Sequence, residues 1–151
     1  MKPFTFKLQS ALDLKLKQEE QQKEFMGKLQ RSYQEQMELL NRFEERLLYL
    51  QNQLRKQQRN SIELDKIRSY EEYLPILHGK IEDQSAQVER ILAEIHKARE
   101  VLVALMQERK VLEKLRLKKL QEYQKQVLLE EQKHIDEMAT NSFLNKEIPQ
   151  V

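Results

Sequence analysis

The stretch IRSYEEYLPILHGKIEDQSAQVERILAEIHKAREVLVALMQERKVL, residues 67–112, decides the fold because its apolar side chains recur at alternating steps of three and four. Such steps place side chains along one face of a helix, and a heptad period held over so many turns is typical of a coiled coil. Twelve of the fourteen positions in this series are apolar. The positions are Ile67, Tyr70, Leu74, Leu77, Ile81, Gln84, Val88, Ile91, Ile95, Ala98, Leu102, Leu105, Arg109 and Leu112.

A shorter series of the same spacing precedes it. Eight of its nine positions are apolar, and they are Met26, Leu29, Tyr33, Gln36, Leu40, Phe43, Leu47, Leu50 and Leu54. Polar residues 57–61 separate the two series, and Asn60 or Ser61 can cap the second helix, with Glu63 completing a capping box. Two long helices joined by a short polar turn favour an antiparallel hairpin. We therefore predict an all-α fold that forms a single coiled-coil domain over residues 1–151. The predicted bounds are about 6–57 for helix one, about 58–61 for the turn, about 62–141 for helix two and 142–151 for a frayed tail.

The position of the turn predicts the register of the hairpin. With the turn near residue 58, facing residues have numbers that add to about 117, so Leu50 faces Ile67. The alternative is a register that is shifted by one heptad, in which the numbers of facing residues add to about 124. The position of the turn favours the first register. Helix one begins no earlier than about Thr5, which faces Leu112 in this register, so helix two from Glu113 to about Ala139 has no partner in this chain. The second helix is therefore the longer one and overhangs at the free-ends tip.

Two features interrupt the regular pattern. Pro75 removes a backbone hydrogen bond inside helix two, and we expect a kink rather than a break because the apolar series continues across it. Lys15, Glu19 and Gln22 occupy positions of helix one that oppose apolar residues of helix two. Either their methylene stems cover those residues, or apolar surface stays open there for another protein.

Composition argues against most other classes of protein. The 151 residues include two Gly, three Pro and no Cys, which argues against a sheet fold and excludes disulfides and thiolate metal sites. A net charge of +2 lacks the basic excess of a nucleic-acid binder, and no uncharged run is long enough to span a membrane. We expect no enzyme activity, cofactor or metal ion, since a phosphate loop and a pocket are missing and the pair Glu130 and His134 supplies two ligands only.

Two groups of side chains are candidates for partner contacts. Residues 109–125 include seven basic and two acidic residues and have a net charge of +5. Such a stretch is either a helix face in contact with water or a surface that binds an acidic partner. Nucleic acid is a further alternative for this stretch, but no interleaved aromatic pattern supports it. Tyr49 and Tyr73 lie off the apolar series and are either solvated or anchors for a partner, whereas Tyr70 and Phe43 lie on the series and are expected in the core.

Three short motifs resemble the FliJ family of bacterial flagellar export proteins. The opening pattern is Phe4-x-Phe6-x-Leu8-Gln9-x-x-Leu12, and the closing one is Glu131-Gln132-Lys133-x-x-Asp136-Glu137-x-Ala139. The middle pattern is Tyr70-Glu71-Glu72-Tyr73, followed by Leu77 and Ile81. Together they span nearly the whole chain.

This resemblance implies a non-enzymatic protein similar to the stalk (gamma) subunit of rotary ATPases. In the family, the free-ends tip enters the ring of the flagellar export ATPase hexamer and promotes its assembly and activity. The part nearer the turn contacts the cytoplasmic domain of the export-gate protein FlhA, and the protein also binds flagellar export chaperones. The implied location is the cytoplasm, at the inner face of the membrane, without direct membrane insertion and without bound nucleic acid.

The family's gate contacts fall on Tyr73 and Leu77, to which we add Tyr49 as an aromatic of the same region. Two further gate positions fall on Lys80 and Gln84, which differ in residue type from the family. For the tip that enters the ATPase ring we expect contacts from Phe4, Phe6, Arg116, Lys118, Lys119, Leu120, Tyr123 and Val127. Two other hypotheses remain at this point: the equivalent stalk protein of a virulence injectisome, although the terminal motifs favour the flagellar branch, and a self-associating structural coiled coil.

Overall fold

Two long helices make up the fold. The computed structural model describes residues 2–60 and 63–147, in which α1 spans Gln9–Asn60 and α2 spans Leu64–Glu147. The helices pack against each other as a hairpin and the second is longer, which confirms the predicted all-α fold.

The helix boundaries differ from the predicted ones by a few residues. Helix α1 continues through Asn60, so residues 58–60 of the predicted turn are helical, and Ser61 and Ile62 lie outside the described residues. The carbonyl of Glu63 accepts hydrogen bonds from the amides of Lys66 and Ile67 at 3.1 and 3.2 Å. Glu63 therefore occupies the N-cap position that was predicted for Asn60 or Ser61.

At its other end α2 is longer than predicted. The helix continues to Glu147, whereas we expected fraying from residue 142, and residues 148–151 of that predicted tail lie outside the described part. Pro75 lies inside α2 without ending the helix. Its ring is on the exposed side, where water can bond the carbonyl that Pro75 leaves unpaired, while Leu77 two residues later is completely buried.

The chain divides into two compact units, one of residues 20–103 and the other of residues 1–19 and 104–151. In the unit of residues 20–103 the buried apolar side chains all belong to the two predicted series, which confirms that the series face the core. They are Met26, Leu40, Leu50, Leu77, Val88, Ile91, Ile95 and Ala98.

The register in this unit differs from the predicted one. The side-chain amide of Gln22 donates to the carbonyl of Ala98 at 2.9 Å, and that of Gln84 donates to the carbonyl of Gln36 at 2.8 Å. The numbers in each pair add to 120 rather than 117. The shift follows from α1, which continues three residues beyond its predicted end at residue 57 before the chain reverses.

In the other unit, α2 has a partner well beyond Leu112. Arg116 is hydrogen-bonded to Gln9, and Tyr123 is hydrogen-bonded to Lys2. The prediction that α2 is unpaired from Glu113 onward is therefore wrong, because the non-helical residues 2–8 and the first turn of α1 lie against this part of α2.

The unpaired part of α2 begins later than predicted. Every side chain from residue 128 to residue 146 is exposed. We refer to residues 128–147 as the bare helix segment.

Candidate functional site

Residues 2–8 and the facing turns of α2 form a cleft, which we call the N-terminal cleft. The Tyr123 hydroxyl donates to the carbonyl of Lys2 at 2.6 Å, and its ring packs against Phe4 with centroids 5.6 Å apart at 50°. The Arg116 guanidinium lies 5.6 Å from the centre of the Phe4 ring, and its Nε donates to Gln9 Oε1 at 3.0 Å. Aromatic and cation–π contacts therefore hold the start of the chain against α2.

The cleft has a volume of about 750 Å³ and mixes apolar walls with positive charge. Three lysines line it against one carboxylate, that of Glu122, which lies 3.6 Å from the ammonium of Lys119. The full lining is Lys2, Pro3, Phe4, Thr5, Phe6, Lys7, Leu8, Leu115, Lys119, Glu122, Tyr123 and Gln126. A basic, partly apolar cleft suits an acidic partner that carries an apolar side chain.

The structure brings most of the predicted tip residues together. Phe4, Phe6, Lys119 and Tyr123 line the N-terminal cleft, and Arg116 stacks on one of its walls. Three other predicted residues lie on α2 outside the lining: Leu120 and Val127 are half-buried, and Lys118 is exposed.

An ion pair with a buried carboxylate lies in the same unit as the cleft. Glu19 is only 4% exposed and accepts hydrogen bonds from Nε and Nη2 of Arg109, whose Nη1 also donates to both oxygens of Glu113 at 3.0 Å. The hydrogen bond to Glu19, followed by that to Glu113, raises the pKa of Arg109 above its ordinary value. Glu19 thus pairs with Arg109, the one cationic position of the second apolar series. Sequence reasoning missed this pairing of opposite charges, although Glu19 was expected to oppose apolar residues and Arg109 interrupts its series.

The other polar side chains of α1 that oppose apolar residues are also paired. Lys15 forms a salt bridge with Glu108, and Gln22 donates to the carbonyl of Ala98. The hypothesis that Lys15, Glu19 and Gln22 leave apolar surface open for another protein is wrong, because the apolar residues expected opposite them are covered: Ile95 and Ala98 are buried and Leu102 is half-buried.

The bare helix segment carries exposed apolar side chains without a partner among the described residues. Their exposed fractions run from 50% to 69%, and they are Leu128, Leu129, Ile135, Met138, Phe143 and Leu144. Residues 128–146 carry four acidic and two basic side chains, a net charge of −2 with histidine neutral. In the described part of the chain no group of three or more histidine and acidic side chains could hold a metal ion.

A second surface lies in the unit of residues 20–103. The Tyr73 ring lies between two cations, with the Arg46 guanidinium 5.7 Å and the Lys80 ammonium 5.8 Å from its centre. Tyr73 is half-buried rather than exposed, while Tyr49 is 58% exposed. Tyr70 and Phe43 are half-buried, so neither reaches the burial that was expected of core residues.

Leu77, the third predicted gate contact, is 0% exposed. A side chain without exposed surface reaches a second protein only if the two helices separate. Leu77 therefore supports the surface around Tyr73 from beneath, as part of the core.

Among the described residues, no helix has the length and apolar character to cross a lipid bilayer. A sequence model of the family described as flagellar FliJ protein matches residues 4–147. Neither the curated proteins nor the solved structures contain a match to this sequence. The family match covers nearly the whole chain, and the fold is the helical hairpin that the two apolar series predict. This chain therefore belongs to the FliJ family, whose members are non-catalytic components of the flagellar export apparatus.

Proposed function

We propose that this protein is a central-stalk and coupling factor of the flagellar type III export apparatus. It promotes assembly of the export ATPase hexamer and raises its activity, and it contacts the cytoplasmic domain of the export gate FlhA and the export chaperones. It works in the cytoplasm, at the inner face of the membrane. The family match favours this role over that of the equivalent injectisome protein.

The bare helix segment is the observation that carries the ATPase role. Six large apolar side chains at least half exposed on one helix end form the kind of surface that soluble proteins reserve for partners. The segment has about 20 residues and is therefore about 30 Å long at 1.5 Å per residue, long enough to enter the opening of a ring-shaped partner.

The N-terminal cleft supplies a second contact for the ATPase ring in this proposal. Its lysines favour an acidic surface, and its aromatic walls accept an apolar side chain. The contact residues on this side are Phe4, Phe6, Arg116, Lys118, Lys119, Leu120, Tyr123 and Val127. On the gate side they are Tyr49 and Tyr73, with Leu77 holding the helices together beneath them.

Stimulation of the cognate ATPase tests the role of the bare helix segment. We compare the wild type with the double variant Ile135→Ser and Met138→Ser, which alters two side chains that are 58% and 59% exposed. The control is Leu48→Ser with Leu64→Ser, which alters two equally exposed apolar side chains outside the segment, at 60% and 71%.

We expect the first pair of changes to lower ATPase stimulation at least about tenfold, because losing two apolar anchors at an interface costs more than 1 kcal/mol each. The control pair keeps its stimulation, and both variants keep their helicity. Equal stimulation by all three proteins contradicts the proposal. Light scattering tests the alternative of a self-associating coiled coil by measuring the molar mass of each protein. A wild type that is a stable dimer, together with a first variant that is a monomer, identifies that alternative.

A further inference from the structure

One exposed side of α2 carries a row of four lysines, in the unit that contains both chain ends. Lys110, Lys114 and Lys118 follow each other at steps of four residues, and Lys125 follows after seven more, so all four lie on one side of the helix. None of them forms an ion pair with another residue in the part of the chain that the structure describes. Their ammonium groups are therefore available to a partner.

The acidic residues of this stretch are already paired with cations outside the row. Glu113 and Glu122 are the two carboxylates between the first and the last lysine, and both border the row because each lies three or four residues from one of its members. Glu113 accepts hydrogen bonds from Arg109 at 3.0 Å, and Glu122 lies 3.6 Å from the ammonium of Lys119. The four lysines of the row thus remain as an excess of positive charge.

Exposed aliphatic side chains accompany the lysines. Val111 and Leu117 each lie seven residues from a lysine of the row, on the same side of α2, and are 66% and 54% exposed. Leu128 and Leu129 follow Lys125 after three and four residues and continue this side with 65% and 69% exposure. We call this side of α2 the lysine face and define it by Lys110, Val111, Lys114, Leu117, Lys118 and Lys125.

The composition and length of the lysine face favour a lipid bilayer over other anionic partners. Lysine carries a compact charge on a flexible chain that reaches lipid headgroups, while aliphatic neighbours contact the acyl chains. The face has no arginine or aromatic side chain to stack on nucleic-acid bases. Its lysines extend over residues 110–125, which is about 22 Å of helix, and a straight row of this length matches a flat surface with many anionic groups.

We propose that the lysine face binds the surface of an anionic lipid bilayer. The ammonium groups contact the phosphates of the headgroups, Val111 and Leu117 lie at the boundary of the acyl chains, and the helix lies in the plane of the surface. This inference goes beyond the proposed function and adds a direct contact that holds the free chain at the inner face of the membrane. Because the attraction is electrostatic, binding requires anionic lipid and weakens as the salt concentration rises.

Co-sedimentation of the full chain with lipid vesicles tests this inference at low and high salt. The vesicles contain phosphatidylcholine and phosphatidylglycerol in equal parts, and vesicles of phosphatidylcholine alone are the neutral comparison. The test variant, Lys110→Gln with Lys114→Gln, alters two lysines of the face that are not among the contacts assigned to the ATPase ring. The matched control, Lys28→Gln with Lys56→Gln, makes the same change in net charge at two exposed lysines of α1. Circular dichroism checks that both variants remain helical.

We expect the wild type to bind the anionic vesicles at low salt and to bind the neutral vesicles much more weakly. The test variant binds the anionic vesicles at least about tenfold more weakly than the wild type, since each lysine near an anionic bilayer contributes about fivefold. The control variant binds within about twofold of the wild type, because its lysines lie outside the face and charges at a distance are screened.

Three results overturn the proposal. They are a wild type that does not bind the anionic vesicles, a test variant that binds as the wild type does, and an equal loss in the test and control variants. Binding to duplex DNA that is as tight as binding to the vesicles at the same salt also overturns it, because the face is then a site for any polyanion. Each of these results leaves the stalk role intact, since stimulation of the ATPase tests that role.

Discussion

Replacing Leu77 with alanine separates core packing from partner binding. Leu77 is 0% exposed, whereas Ile76 next to it in the sequence is 56% exposed. Leu→Ala changes at buried sites cost about 2–5 kcal/mol, through lost burial and the cavity that remains. Because two helices can move together and close part of such a cavity, we expect the free energy of unfolding to fall by about 3 kcal/mol. This loss corresponds to a change of about 150-fold in the folding equilibrium constant.

Thermal and urea unfolding followed by circular dichroism measure this loss. With a shift of about 2–4 °C per kcal/mol for a chain of this size, we expect the Tm of Leu77→Ala to fall by about 6–12 °C. The neighbouring change Ile76→Ala is the control, because Ile76 is 56% exposed and its removal alters stability by no more than about 0.5 kcal/mol.

Binding to the gate domain, measured at a temperature well below both Tm values, is expected to rank the two variants the other way: the less stable variant Leu77→Ala binds more tightly than Ile76→Ala. Leu77→Ala keeps most of its affinity because its side chain does not reach the surface. Ile76→Ala weakens binding, because Ile76 is exposed and lies three residues after Tyr73, on the same side of α2. A Leu77→Ala protein with an unchanged Tm and no gate binding would refute the assignment of Leu77 to the core.

Two further predictions concern the unit that contains both chain ends. Tyr123→Phe removes the hydroxyl that donates to the carbonyl of Lys2, and a hydrogen bond of this kind contributes about 1 kcal/mol. We therefore expect exchange of the Gln9 amide hydrogen, which is donated to the carbonyl of Phe6 in this segment, to accelerate about fivefold, while the global Tm stays nearly the same; unchanged exchange means that the hydroxyl does not hold this segment. Glu19→Ala leaves Arg109 partly enclosed with Glu113 as its remaining partner, so the Tm falls. The double change Glu19→Leu with Arg109→Met restores the Tm because apolar side chains of similar size suit this position, and a double variant less stable than Glu19→Ala contradicts this account.

The number and kind of helices and the residues that face the core followed from local spacing. A heptad series specifies one helix face without reference to any other part of the chain, so the buried positions Met26, Leu50 and Val88 could be predicted individually. The terminal motifs pointed to the family for a similar reason, since they are read along the chain. The tip aromatics Phe4 and Phe6 were among the predicted contact residues on that basis.

The tertiary structure decided how the two faces meet. Register depends on pairs that lie far apart in sequence, so the cross-helix partners in the unit of residues 20–103 differ from the predicted ones although the predicted core faces are right. The pairing of the helices also placed Glu19 against Arg109. It covered the apolar residues opposite Lys15, Glu19 and Gln22, which the sequence left as a possible open surface. It also placed Tyr73 between Arg46 and Lys80, and limited the unpaired helix to residues beyond Val127. Such contacts arise only when the two helices are brought together, because a periodic pattern states which side of a helix is buried but not which residue of the other helix it meets.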